Sequence, residues 1–272
     1  LGDVYKRQHT LFPMHLWRNE ERDILNNKNI PPHANLKEGS NPNDESSYVD
    51  FHLNDYAPEL MHNEALNFIE DNKESPFFLY YASPLPHVPL QAPKKWINYY
   101  KRKIGHEKPY TGKSYFPNHT PRATYAAMIS YLDEQVGDLI KKLKDINQLD
   151  NTLIIFTSDN GPTYTGGADT QYFDSANPFK TELGWAKGFV NEGGIRVPMI
   201  ASWPTKIKPG SRSNQISAFQ DMMPTFCDII GIDVPLNIDG ISIKPTLLGN
   251  FQKVSHEYLY CCLLYTSYAA DE

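Results

Sequence analysis

No stretch of about 18 or more apolar residues occurs in the 272-residue chain, which excludes a membrane-spanning helix. Nor does it contain the basic-then-apolar pattern of a secretory signal peptide. Cationic excess is also lacking: 26 Lys and Arg stand against 32 Asp and Glu, a formal charge of -6. That balance leaves no basic surface for a phosphate backbone and argues against nucleic acid as a partner. Cysteine is scarce, with Cys227 alone and Cys261 and Cys262 adjacent, so neither a disulfide framework nor a zinc spacing can be drawn. What is present is a globular composition, 40% hydrophobic, 12% aromatic and 21% charged, long enough to bury a core without staples.

The two ends read differently from the middle. Residues 1–8 and 261–272 carry neither helical nor strand periodicity and resemble translated adapter, so the reading assigns the folded piece to residues 9–260 of a longer protein.

Between them, strand and helix patterns alternate. Asp55 to Asn72 places Leu60, Met61, Ala65, Phe68 and Ile69 on one helical face, with Asp55 as N-cap. Phe77–Ala82 is a short apolar and aromatic run of the kind a buried parallel strand shows. A Pro- and Lys-rich connection follows, from Ser83 to about Thr120. The clearest helix has Tyr125, Met128, Ile129, Leu132, Val136, Leu139, Ile140 and Leu143 on its apolar stripe. After a turn at Leu149–Asn151, Thr152–Thr157 reads as a second buried strand, giving a right-handed βαβ unit. The class is therefore α/β, with a mostly parallel central sheet flanked by helices.

In an open parallel sheet, ligands bind beyond the carboxyl ends of the strands. That rule points to Pro84–Pro89 after the first strand and to Ser158–Pro162 after the second. Asp159 and Asn160 offer a carboxylate and an amide oxygen, hard ligands suited to calcium or magnesium, although Asp-Asn-Gly is equally the signature of a simple turn. His87 sits among prolines that restrict its backbone, where it is either an aimed acid, base or anion donor or an exposed loop histidine. Lys187 lies in the glycine-rich stretch Gly184–Pro198, where its ammonium either meets an oxyanion or is solvated on a hairpin.

Three motifs in order carry a resemblance: Pro-Phe-Phe-Leu-Tyr-Tyr-Ala with Pro-His-Val-Pro, then Thr-Ser-Asp-Asn-Gly-Pro, then Lys-Gly with Glu-Gly-Gly-Ile-Arg-Val-Pro. Together with Asp221–Thr225 and Asp239–Ser242, they make the chain closely resemble the type I sulfatases, the arylsulfatase family, from about His9 to Tyr260. The resemblance implies an alkaline-phosphatase-like fold and hydrolysis of a sulfated carbohydrate or aryl sulfate ester at a Ca2+ site, in the periplasm or outside the cell. It makes Asp159 and Asn160 metal ligands and His87 and Lys187 the pair that holds the sulfate and its bridging oxygen. Glu192 and Arg196 read as a structural pair bracing the Gly193–Gly194 turn. The loop Thr163–Gly167 and the segment His15–Asn19 either line a sugar subsite or pack.

The sequence also departs from the family. The formylglycine nucleophile comes from a Cys/Ser-x-Pro/Ala-x-Arg motif preceded by an Asp-Asp pair, and neither occurs here; Cys227, on an apolar helical stretch, reads as core. Formylglycine is thus expected upstream, and the 272-residue chain is expected to be inactive alone. Two alternatives share the scaffold: a phosphodiesterase or phosphonate hydrolase, and a non-catalytic binding protein.

Overall fold

Asn19, at a φ of 56°, turns the chain so that β1 (His15–Arg18) pairs antiparallel with β2 (Glu21–Ile24). This hairpin belongs to a computed structural model that describes residues 10–31 and 33–260; the terminal segments read as adapter lie outside the described residues. The described chain divides into two units, one of residues 10–142 and 160–196 and one of residues 143–159 and 197–260.

In the first unit, α1 (Ala57–Asp71) covers the helix expected from Asp55 to Asn72. The capping expectation fails. Tyr56 is the N-cap, with Pro58 in the first turn, while the Asp55 carboxylate accepts from the Asn26 backbone N–H at 2.6 Å. Ala65 and Ile69 are buried, as the periodicity predicts.

The Pro- and Lys-rich connection holds a helix that the reading did not resolve, α2 (Lys94–Ile104). Trp96 and Tyr100, four residues apart, share a helix face. Trp96 Nε1 donates to Glu134 at 2.6 Å, and the Tyr100 hydroxyl lies 2.7 Å from Ser130 Oγ. Both partners lie on α3 (Pro121–Asp145), so this face of α2 is docked on that helix. Gly105, at a φ of 77°, ends α2 with its N–H on the Lys101 carbonyl.

The N-terminus of α3 is deeply buried, and its orphan N–H groups need a partner from elsewhere in the chain. The buried Glu107 supplies it, accepting from the N–H groups of Arg122 at 2.5 Å and Ala123 at 3.1 Å. Burial pushes this carboxyl up despite those two donors. Its folded-state proton affinity therefore exceeds its unfolded one, and the contribution it makes to stability is present at low pH and lost as pH rises through the raised value. Along α3, Tyr125, Met128 and Leu143 of the expected stripe are buried together with Ala123, Ala127, Tyr131 and Gln135, whereas Ile129 and Ile140 of that stripe are exposed.

Phe77–Ala82 carries no regular secondary structure and lies outside both sheets, which corrects the strand expected there. Its exposure nevertheless alternates with period two: Phe77, Leu79 and Tyr81 are half-buried, while Phe78 and Tyr80 are 68% and 73% exposed.

The second unit carries β3 (Ile154–Thr157), two residues shorter than read. In the first unit come two one-turn helices, α4 (Thr170–Phe173) and α5 (Glu192–Ile195). The chain then returns to the second unit as β4 (Met199–Ser202), followed by α6 (Met222–Ile230) and α7 (Lys244–Leu247). β3 pairs with β4 antiparallel, with Phe156 opposite Ile200. The expected parallel βαβ unit is therefore not formed by the described residues, whose two ladders are both antiparallel and two-stranded.

A buried carboxylate organises the second unit. Asp221, fully buried, accepts from the N–H groups of Ala218 and Ile241 and from His256 Nε2 at 2.7 Å. Thr225 Oγ1 donates to the Asp221 carbonyl and accepts from the Ile243 N–H. These bonds join the Asp221–Thr225 and Asp239–Ser242 motifs. Cys227 is buried on α6, in keeping with its reading as core.

Candidate functional site

His87 is positioned by its neighbours. Leu85, Val88 and Leu90 are all buried in one cluster with Tyr56, Tyr125 and Met128, so the backbone is pinned on both sides of the imidazole. Its N–H donates to the Pro84 carbonyl at 2.9 Å, and the Tyr115 ring meets the imidazole edge-on, with centroids 6.2 Å apart. The ring lies with Nδ1 2.5 Å from the Val88 carbonyl oxygen. A carbonyl only accepts, so Nδ1 carries the proton and Nε2 is left as the variable position.

Nε2 faces Lys187 Nζ at 2.9 Å, joining side chains 100 residues apart in sequence. The ammonium donates to the imidazole lone pair. An anion oxygen placed against both groups would accept from Lys187 and, once the ring is protonated at Nε2, from His87 as well.

Lys187 is held by the turn that carries the second motif. Its backbone N–H donates to the Pro162 carbonyl at 3.0 Å, and the Gly161 N–H donates to the Gly194 carbonyl at 2.8 Å. The Asn-Gly-Pro turn is thereby tied both to the Lys187 segment and to the Glu-Gly-Gly turn. Glycine is obligatory at these contacts: a Cβ on Gly161 would stand 1.9 Å from the Gly193 carbonyl oxygen, and one on Gly193 would stand 2.1 Å from that of Lys180. Both values are far below van der Waals contact with backbone that has no room to yield.

Asn160 Nδ2 donates to the Gly161 carbonyl at 2.9 Å, and Oδ1 is the acceptor atom of that amide. Asp159 follows β3 by two residues and is exposed. Hard oxygen donors of this kind fit calcium, whose shell takes six to eight of them. No group of three or more His, Cys, Asp or Glu side chains able to hold a metal occurs among the described residues.

Glu192 and Arg196 pair at 2.8 Å across one helical turn, and Arg196 also lies over the Phe179 ring. This is the bracing role read from the sequence, made by α5 and not by a hairpin. The loop Thr163–Gly167 packs against the His87 segment: Gly166 lies against Val88 and Tyr115, and Gly167 against Tyr110. In β1, Leu16 is buried, while Trp17 meets the His15 ring edge-on and carries Arg22 over its own ring at 5.1 Å. Tyr115 and the two glycine contacts were missed by sequence reasoning. The glycines of the Glu-Gly-Gly motif were the only local signal for them.

No helix among the described residues is long and apolar enough to cross a membrane. The cations, in contrast, are unevenly spread: α2 alone carries five of them and no carboxylate.

A family model described as Sulfatase matches residues 5–232. Among curated relatives, the chain is 32% identical to arylsulfatase A of Bos taurus over 186 residues, covering 68% of this chain and 31% of that protein. It is 30% identical over 235 residues to N-acetylglucosamine-6-O-sulfatase of Bacteroides thetaiotaomicron, covering 82% of this chain and 38% of that one. Among solved structures, it is similar to Ps i-CgsB in complex with k-i-k-neocarrahexaose, with a TM-score of 0.58 and 35% identity over 72% of this chain and 39% of that one. The chain thus spans well under half the length of these relatives. The fold is theirs, α/β of the alkaline-phosphatase-like kind. The family match runs through the His87 segment, the Asn-Gly-Pro turn and the Lys187 loop alike, and on it the chain belongs to the sulfatase family.

Proposed function

We propose that this chain supplies the sulfate-holding side of a sulfuric ester hydrolase acting on a sulfated carbohydrate or aryl sulfate. The observation that carries the reading is the 2.9 Å approach of Lys187 Nζ to His87 Nε2 on a backbone locked by the Gly161–Gly194 contact. A sulfate ester presents several oxygens that accept but never donate. Lys187 binds them as a compact ammonium donor, and the imidazole is aimed at the same point. Because the Val88 carbonyl fixes the proton on Nδ1, proton exchange with the departing alcohol is confined to Nε2. Carbohydrate is favoured as substrate by the relatives, of which one is named N-acetylglucosamine-6-O-sulfatase and another is crystallised with k-i-k-neocarrahexaose.

Asp159 and Asn160 would hold a calcium ion as two of its oxygen ligands. Such an ion, when bound, supplies positive charge to the ester oxygens. The family's working place outside the cytoplasm, periplasmic or extracellular, is proposed for this protein as well. The formylglycine precursor motif has no counterpart in the sequence, so the chain by itself is proposed to bind and orient without cleaving. Accordingly, the purified 272-residue polypeptide is expected to release no measurable nitrocatechol from nitrocatechol sulfate, with or without added calcium. Metal-dependent turnover by this polypeptide alone would overturn that part of the reading.

A further inference from the structure

Arg122 stands where helix stability gives no reason for it. It is the second residue of α3, in the first turn, where the helix dipole disfavours a cation. Its guanidinium is nevertheless firmly held. Nε and Nη2 approach Asp169 Oδ2 at 2.9 and 2.7 Å, and Cζ lies 4.1 Å from the centroid of the Tyr172 ring. The other carboxylate oxygen of Asp169 accepts from the Tyr172 N–H at 3.0 Å and so caps α4. Both charged side chains are about one-third exposed. An ion pair at this depth adds little to stability by itself, so its significance lies in what Asp169 carries.

Asp169 joins the loop that begins at Thr163 to α4, and the two sides of that junction lead to the two members of the catalytic pair. On one side, the Gly166 backbone lies directly on the His87 segment: a Cβ there would stand 2.7 Å from Val88 Cγ1 and 2.9 Å from Tyr115 Cδ2. Ala168 is buried in the same cluster as Leu85, Val88 and Leu90. Val88 supplies the carbonyl that holds Nδ1 of His87, and Tyr115 supplies the ring that meets the imidazole edge-on. On the other side, Oγ1 of the buried Thr170 lies 3.4 Å from the carbonyl oxygen of the buried Thr181, six residues before Lys187. The loop and α4 therefore touch both the groups that orient His87 and the segment that leads to Lys187. Arg122 fastens them to α3.

We propose that Arg122 is a positioning residue for sulfate-ester hydrolysis: by clamping Asp169 to α3, it sets the His87 imidazole against Lys187 without touching the substrate. This inference rests on the reading of the pair given above and adds the element that holds the pair in place. The imidazole is restrained by one carbonyl and one edge contact. Gly166 keeps both in position, and its own place depends on the anchor three residues further on. Without the clamp the loop withdraws, Val88 and Tyr115 relax, and Nδ1 loses the acceptor that fixes the tautomer. Lysine is an incomplete substitute, because an ammonium makes a point contact and offers no planar fork to lie over Tyr172.

The test uses the whole chain with nitrogen-15-labelled histidine, whose ring nitrogens report the tautomer by NMR at about pH 8, where free imidazole is neutral. The His87 signal is identified as the one lost in His87→Gln. The parent is expected to hold His87 as the Nδ1–H tautomer. Arg122→Gln is expected to mix the two tautomers, as is Asp169→Asn, which keeps an oxygen to cap α4; Arg122→Lys falls between them and the parent. Arg18→Gln removes an exposed ion pair to Glu64 in the same unit and is expected to leave the signal unchanged. Circular dichroism and the urea midpoint check that each variant is folded. In an enzyme completed with the family's nucleophile-bearing part, Arg122→Gln is expected to lower kcat/KM about ten- to a hundredfold and to shift its pH profile. A parent that already mixes tautomers, an unchanged His87 signal in both clamp variants, or an equal change in Arg18→Gln would overturn the proposal, since a merely structural clamp lowers the urea midpoint without moving the tautomer. Failure of the reading beneath it has a different signature: the clamp variants alter the His87 tautomer as expected, but the completed enzyme with Arg122 intact hydrolyses no sulfate ester.

Discussion

Lys187→Ala is expected to lower sulfate-ester hydrolysis by about 10²–10³-fold in an enzyme that joins this chain to a nucleophile-bearing upstream part, the loss typical of one preorganised oxyanion donor. The size follows from where the ammonium stands. It is half-buried and 2.9 Å from His87 Nε2, and its backbone is tied to Pro162, so its charge is delivered at a fixed point without reorganisation. Removing it also changes the imidazole, because the donor that faces Nε2 disappears. The variant should therefore shift the pH profile of kcat/KM as well as its height, which a loss of packing alone does not do. Lys187→Arg is expected to recover only part of the rate. It keeps the charge but replaces a compact ammonium with a planar fork that does not fit the same point beside the ring. A Lys187→Ala enzyme within a few-fold of the parent, with an unchanged pH profile, would remove Lys187 from the site.

The second large effect concerns the scaffold. Gly161→Ala and Gly193→Ala are each expected to destabilise the chain by roughly 3 kcal/mol, the upper range for overpacking. In both, the added methyl meets a backbone carbonyl near 2 Å, at 1.9 Å and 2.1 Å, and no side-chain rotamer can relieve that. The contacts in question hold the Asn-Gly-Pro turn against the Glu-Gly-Gly turn, so the loss should appear as a lower urea midpoint together with loss of the His87–Lys187 geometry. Gly137→Ala is the matched control. It lies inside α3 with nothing within 4 Å of the added methyl, and it is expected to raise stability by about 0.5–1 kcal/mol. If all three glycines respond alike, the close backbone packing assigned to the site is wrong.

Much of the helical content was legible because it is local. α1 and α3 announce themselves by three-and-four spacing, and Cys227 falls in the core of α6 as its neighbours predict. α2 escaped because lysines dilute the Trp96, Tyr100, Ile104 repeat that marks its inner face. Strands are different, since a ladder needs a partner that the local pattern does not name. Phe77–Ala82 has the period-two burial of a strand without a place in either sheet, and β3 finds β4 in antiparallel register where the strand–helix–strand order suggested a parallel neighbour. The site was legible only through resemblance, because nothing local brings His87 and Lys187 together across 100 residues. The third partner of Asp221, His256, lies beyond every quoted motif and was invisible for the same reason.

The central claim is that the His87–Lys187 pair serves sulfate-ester hydrolysis, and it is tested most directly by one comparison on the joined enzyme. Hydrolysis of a sulfated sugar and of the same sugar carrying a phosphate ester is measured side by side, with calcium present. The account predicts that kcat/KM for the sulfate exceeds that for the phosphate, and that Lys187→Ala removes most of the difference. A preference for phosphate, or a sulfate preference that survives Lys187→Ala unchanged, would contradict it.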